Sequence, residues 1–146
     1  ASLVKVNSGG TLSMNNGATI TGNTVTGSSG GGIYIDKNGT FTMAGGEISG
    51  NTAAKGGGVY IEDGIFIKTG GTITSYASNT TNGNRATEIN SGHAIFAYDY
   101  YGNPYPTFNI VRHETTAGPG VNLSFNGSSS SYSGAWDEII RPKGTL

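Results

Sequence analysis

The segment Gly30-Gly31-Gly32-Ile33-Tyr34-Ile35-Asp36 recurs almost residue for residue as Gly56-Gly57-Gly58-Val59-Tyr60-Ile61-Glu62, 26 residues further on. A fixed period of this length points to stacked repeats, because one such unit cannot bury its apolar face alone. A degenerate copy follows at Gly92-His93-Ala94-Ile95-Phe96-Ala97, and an earlier one is Leu3-Val4-Lys5-Val6. Apolar and polar residues alternate in each copy, which is the period of a strand with one buried face.

Two further strand types follow each of these. One reads Gly10-Thr11-Leu12-Ser13-Met14, then Gly39-Thr40-Phe41-Thr42-Met43, then Gly64-Ile65-Phe66-Ile67, with Thr107-Phe108-Asn109-Ile110 as its fourth copy. The other reads Ala18-Thr19-Ile20-Thr21-Gly22-Asn23, Gly46-Glu47-Ile48-Ser49-Gly50-Asn51 and Gly71-Thr72-Ile73-Thr74, with Gly120-Val121-Asn122-Leu123 as a candidate fourth. Three strands per repeat, joined at glycine corners, predict a triangular coil. The expected fold is an all-β, single-stranded, right-handed parallel β-helix of about four coils. It forms one domain over 1–146, with a Tyr-rich loop near 98–106 and a capping segment near 126–146. Equivalent residues would then form ladders at the ~4.8 Å spacing of neighbouring strands. Asn23 and Asn51 fall at equivalent corners and could form one such ladder. In the third coil either Phe66 or the pair Ile65 and Ile67 could face inward. A β-sandwich is the competing architecture. The Asn-Gly pairs at Asn16, Asn38, Asn82 and Asn126 suit hairpins, but a sandwich does not call for near-identical modules.

Glycine is abundant at 26 of 146 residues, and only 12% of residues are charged. Such a composition can signal disorder, yet here the apolar residues sit in ordered alternation. The net charge of −1 and the lack of Lys/Arg tracts argue against nucleic acid as a partner. No stretch is long and apolar enough to insert in a membrane as a helix. Cysteine is absent, so disulfides and thiolate metal sites are excluded.

The Gly-Gly-Gly-Ile-Tyr-Ile and Ile-Ser-Gly-Asn segments resemble the repeats of polymorphic outer membrane proteins and related bacterial surface β-helix proteins. The likeness covers about Leu3 to Ala97. Thr115 to Val121 is similar, more weakly, to closing segments of gut-bacterial and spirochaete surface domains. Small β-helix modules of this kind also occur as carbohydrate-binding modules attached to xylanases. The resemblance implies an extracellular setting, secreted or on a bacterial cell surface, and a covalently linked catalytic domain as a possible companion. It does not fix a ligand.

The β-helix fold also hosts polygalacturonases and pectate lyases, so catalytic groups matter. The aspartates are Asp36, Asp63, Asp99 and Asp137, with no Asp-Asp pair. Asp36, Glu62, Asp63 and Asp99 could supply oxygen ligands to Ca²⁺, although solvated carboxylates just past a strand are the simpler reading. No cofactor is otherwise expected. His93 stands where the preceding copy has Gly57, which suits a packing role at a corner. No serine lies in a nucleophile context. The chain therefore reads as a non-catalytic protein.

The aromatics carry the functional expectation. With Ile33, Ile35, Val59 and Ile61 inward, Tyr34, Tyr60 and Phe96 form an outward column. Ring faces suit the C–H faces of sugars. Tyr98, Asp99, Tyr100, Tyr101 and Tyr105 follow in a stretch that interrupts the repeat and resembles a recognition loop. These eight residues are the candidate ligand-binding set, and polysaccharide is the expected partner. The likeness to xylanase-attached modules suggests xylan or a related β-glycan. The alternative is a structural or adhesive segment of a surface protein, and a reduced lyase is a third reading.

Overall fold

The computed structural model describes residues 1–76, 80–88, 91–98, 110–112 and 135–136, the last two segments and Tyr98 as strand backbone. The first repeat supplies β1 (Val4–Val6), β2 (Thr11–Met14) and β3 (Thr19–Thr21). The second supplies β4 (Ile33–Ile35), β5 (Thr40–Met43), β6 (Glu47–Ser49) and β7 (Thr52–Ala53). The third supplies β8 (Val59–Glu62), β9 (Ile65–Lys68), β10 (Thr72–Ile73) and β11 (Arg85–Ala86). β12 (Ile95–Tyr98), β13 (Ile110–Arg112) and β14 (Ala135–Trp136) follow. There is no helix among the described residues.

The strands of successive repeats pair in parallel, each type in its own sheet. The sheets run β1-β4-β8-β12-β14, β2-β5-β9-β13, β3-β6-β10 and β7-β11. The chain is thus all-β with parallel strands in several sheets, an arrangement compatible with a parallel β-helix. The register is the one that the repeats imply: Val4, Ile33, Val59 and Ile95 oppose one another, as do Ile20, Ile48 and Ile73. The exception to parallel pairing is β14, which runs antiparallel to β12 with Trp136 opposite Ile95.

A hydrophobic core fills the space between the sheets. Ile33, Ile35, Phe41, Met43, Ile48, Val59, Phe66 and Ile95 are completely buried there. Phe66 opposes Phe41 in register, and the two rings stack with centroids 5.1 Å apart. That resolves the third repeat: Phe66 faces inward, Ile65 is exposed and Ile67 is half-buried. Burial of a phenylalanine stabilises by roughly 1.5–3 kcal/mol, which the alternative register would forfeit.

Three features add to or differ from the sequence expectation. First, a fourth sheet, β7-β11, stands beside the three that the motifs imply, and the bridge Thr24↔Thr52 extends it to the first repeat. Its strands hold two residues each and bury only Ala53 and Ala86, so no apolar alternation announces them. Second, of the expected fourth copy of the β2 type at 107–110 only Ile110 is described, and it opposes Phe66. β13 continues from there to Arg112, and 107–109 lie outside the described residues. Third, Lys68 opposes Met43 and is buried. Its alkyl stem continues the methionine column, and its ammonium donates to the Gly71 carbonyl at 2.6 Å. A charge survives burial only when such partners replace water. The candidate fourth copy at Gly120–Leu123 lies outside the described residues.

Close packing explains the glycines at one corner. Gly30, Gly56 and Gly92 are register equivalents and all have φ near the left-handed region, at 71°, 58° and 61°, where a side chain is disfavoured. At the next position a Cβ on Gly57 would lie 2.5 Å from the Arg85 backbone. The β11 strand approaches too closely for anything larger.

Candidate functional site

The outer face of the β1-β4-β8-β12 sheet brings Tyr34, Tyr60 and Phe96 into one column through the pairings Tyr34↔Tyr60 and Phe96↔Tyr60. The rings lie face to face. Tyr34 and Tyr60 have centroids 5.1 Å apart and planes 24° from parallel, and Tyr60 and Phe96 are 5.5 Å apart at 8°. Parallel in-register strands cause this, because side chains at one register position point the same way at one strand spacing. The consequence runs against the sequence expectation that the ring faces lie open to sugars. Tyr60 has both faces covered and is buried. The outer side of Tyr34 is occupied by the Lys5 ammonium, 5.2 Å from the ring centroid. Lys55 lies 5.8 Å from the Phe96 centroid. The column shows the solvent ring edges, and Tyr34 and Phe96 stay half-buried.

The carboxylates beside the column also pair along the repeat axis. Asp36 meets Lys5 at 3.2 Å, and Asp63 meets Lys37 at 3.2 Å. The Tyr34 hydroxyl donates to the Glu62 carboxylate. Partial burial pushes the Tyr34 hydroxyl well above its ordinary pKa, and the Glu62 hydrogen bond adds to the effect. Asp36 is held below the usual carboxylate range, first by the Lys37 backbone N–H and then by Lys5. Among the described residues no group of three or more His, Asp or Glu side chains is arranged to hold a metal ion.

Tyr98 has its backbone in β12, opposite Glu62. Asp99, Tyr100, Tyr101 and Tyr105 lie outside the described residues, as do His113 and Asp137. His93 occupies the register position of Gly57, as its place in the motif implies. Its Nδ1 accepts the Ala86 backbone N–H at 2.9 Å, and its ring meets Tyr76 edge-on at 5.5 Å. Arg85 lies 5.1 Å from the Tyr76 centroid. This His–Tyr–Arg group fastens the β11 corner.

The asparagine ladder forms and is longer than expected. Asn51 Oδ1 accepts the Asn23 backbone N–H at 3.1 Å, and Asn84 Oδ1 accepts the Asn51 N–H at 3.1 Å. The Asn51 amide lies 2.9 Å from both Asn84 Oδ1 and the Ile20 carbonyl. Asn84 Nδ2 donates to the Ile48 and Thr74 carbonyls, each at 2.8 Å. Asn51 and Asn84 are completely buried. Asn84 escapes sequence reading because it follows Asn51 by 33 residues, whereas Asn23 precedes Asn51 by 28. The signal that could have found it is Asn84 itself, set before the short Arg85–Ala86 strand as Asn51 is before Thr52–Ala53.

Comparison with known proteins gives no matching family model, no similar curated protein and no similar solved structure.

Proposed function

We propose that this chain is a right-handed, single-stranded parallel β-helix of about four coils. It serves as a non-catalytic, structural or adhesive segment of a bacterial secreted or cell-surface protein. The observation that carries this reading is that the side chains of the outer face contact one another along the repeat axis. Tyr34, Tyr60 and Phe96 stack, and Asp36, Glu62 and Asp63 each meet a partner from a neighbouring repeat or strand. A surface built that way stiffens a stack of coils. It offers a sugar no open ring face on Tyr60. The bacterial, extracellular setting rests on the likeness of the Gly-Gly-Gly-Ile-Tyr-Ile and Ile-Ser-Gly-Asn motifs to polymorphic outer membrane protein repeats.

A second reading is a carbohydrate-binding module for xylan or a related β-glycan, with a linked catalytic domain. It is favoured by the half-buried edges of Tyr34 and Phe96, and by the way β12 leads from Phe96 into the Tyr98–Tyr105 stretch. Affinity electrophoresis in gels containing xylan, β-glucan or pectin separates the two. The structural reading expects migration unchanged by all three. Retardation that Tyr34→Ala combined with Phe96→Ala abolishes would overturn it in favour of sugar binding on the column. Retardation that survives this double change would move the sugar site to the Tyr98–Tyr105 stretch. Release of unsaturated products from pectin would sink both readings and support a lyase.

A further inference from the structure

The dipeptide Asn-Gly occurs at three corners of the described scaffold, Asn16-Gly17, Asn38-Gly39 and Asn82-Gly83, and the first two lie in opposite surroundings. The geometry points to Asn16 as a site of spontaneous deamidation to aspartate and isoaspartate, with Asn38 protected from the same chemistry by the fold. This inference is independent of the proposed function.

The reaction needs the backbone nitrogen after the asparagine as a nucleophile. Hydroxide removes the Gly17 amide proton, and the nitrogen attacks Cγ of Asn16. The N–Cγ bond forms, the Cγ–Nδ2 bond breaks, and Nδ2 leaves as ammonia after taking a proton from water. Water then opens the resulting succinimide at either carbonyl. One opening gives aspartate, and the other gives isoaspartate, whose backbone is one carbon longer. Glycine in the second place removes the Cβ that would crowd the ring. The nitrogen must be free to lose its proton, and the five-membered ring must have room.

Asn16 and Gly17 are both exposed. They are the central residues of the turn closed by Ala18 N–H donating to the Asn15 carbonyl at 3.2 Å. Among the described residues the Gly17 N–H has no hydrogen-bond acceptor, and nothing lies within 4 Å of where a Gly17 Cβ would sit. Gly39 is the reverse case. It is buried, and its N–H donates to the Asp36 carbonyl at 2.8 Å. Carbonyl oxygens of Asp36, Val6 and Asn7 crowd its Cβ position at 2.9–3.1 Å. The Asn38 N–H is itself bound to the Asp63 carbonyl at 3.0 Å, so the corner is fastened on both sides. The nucleophile is tied down, and the glycine that carries it is packed against backbone and cannot readily shift.

The Asn16 side chain rests against Gly45. Isoaspartate at this corner would lengthen the backbone between β2 and β3 and add a negative charge there.

The test is peptide mapping by mass spectrometry of the full chain held folded at mildly alkaline pH, with isoaspartate-specific methylation as a second readout. A parallel sample is kept in denaturant. In the folded protein Asn16 is expected to convert faster than Asn38 by on the order of tenfold or more, since about 1.4 kcal/mol of extra barrier from a retained hydrogen bond is a factor of ten. In denaturant the two rates should converge, because the dipeptides are chemically alike. Asn16→Gln should remove most of the folded-state methylation signal from this region. Equal rates in the folded protein, faster conversion at Asn38, or no conversion at Asn16 would each overturn the inference.

Discussion

Two ladders run along the same stack of repeats, and they differ in what holds them. The asparagine ladder of Asn23, Asn51 and Asn84 lies at a corner, buried at its last two members, and is made of hydrogen bonds. The aromatic ladder of Tyr34, Tyr60 and Phe96 lies on the outer face and is made of ring contacts. Both arise from one cause, in-register parallel pairing. Their tolerance to error differs. The Oδ1 atoms of Asn51 and Asn84 each accept a particular backbone N–H of the preceding repeat, so a slip of one residue strands buried donors and acceptors. Stacked rings have no such directionality, and the column changes from Tyr to Phe without losing its spacing. The buried ladder specifies the register, and the outer one adds area to a register already chosen.

This contrast is sharpest at the middle member of each ladder. Asn51→Ala should cost the most, about 3 kcal/mol or more, because it leaves several buried partners unsatisfied at roughly 1–3 kcal/mol each. Urea denaturation of the variant measures it. Tyr60→Ala should cost about 2 kcal/mol from lost burial and two stacking contacts. Tyr60→Leu, which keeps much of the buried area, should recover about half of that loss. If Tyr60→Ala destabilises more than Asn51→Ala, the ranking of the two ladders is wrong.

The pH dependence sharpens the outer ladder further. The Tyr34 hydroxyl has a folded pKa raised above its unfolded value of about 10. Its contribution is therefore full below that pH and is lost as pH rises, since the unfolded chain ionises first. Tyr34→Phe should flatten the fall in stability above about pH 10, as read from melting temperature against pH. Asp36 has a lowered folded pKa, so its contribution is present above about pH 4 and lost as pH falls further. The side chains of Asp36 and Lys5 are 30% and 53% exposed, which screens the pair. Asp36→Asn should give the smallest change of the series, a slightly shallower loss of stability in acid that salt reduces further.

The duplicated Gly-Gly-Gly module made the register of β4 on β8 legible, down to the pairing of Tyr34 with Tyr60 and the place of His93 over Gly57. The Asn23–Asn51 pair was legible for the same reason. In the third repeat Ile73 was legible opposite Ile48, but two other features were not. The longer third repeat hid Asn84, and the Ile65-Phe66-Ile67 run allowed two registers until packing against Phe41 decided between them. The β7-β11 sheet was invisible because its buried residues, Ala53 and Ala86, are small. The candidate site was legible as a set of aligned residues, and its accessibility was not.

The repeat, its period, the alternation that separates inner from outer residues, and therefore which side chains stack, are all written in the order of the amino acids. These follow from local chemistry: alternation sets faces, and recurrence sets partners. Tertiary structure decided the rest. It added the short β7-β11 sheet, buried Lys68 where methionine stands one repeat earlier, and turned a row of outward aromatics into rings that cover one another. The physical reason is distance. Equivalent residues on parallel strands sit at about the spacing at which flat rings touch, so the regularity that makes the column readable is also what closes its faces.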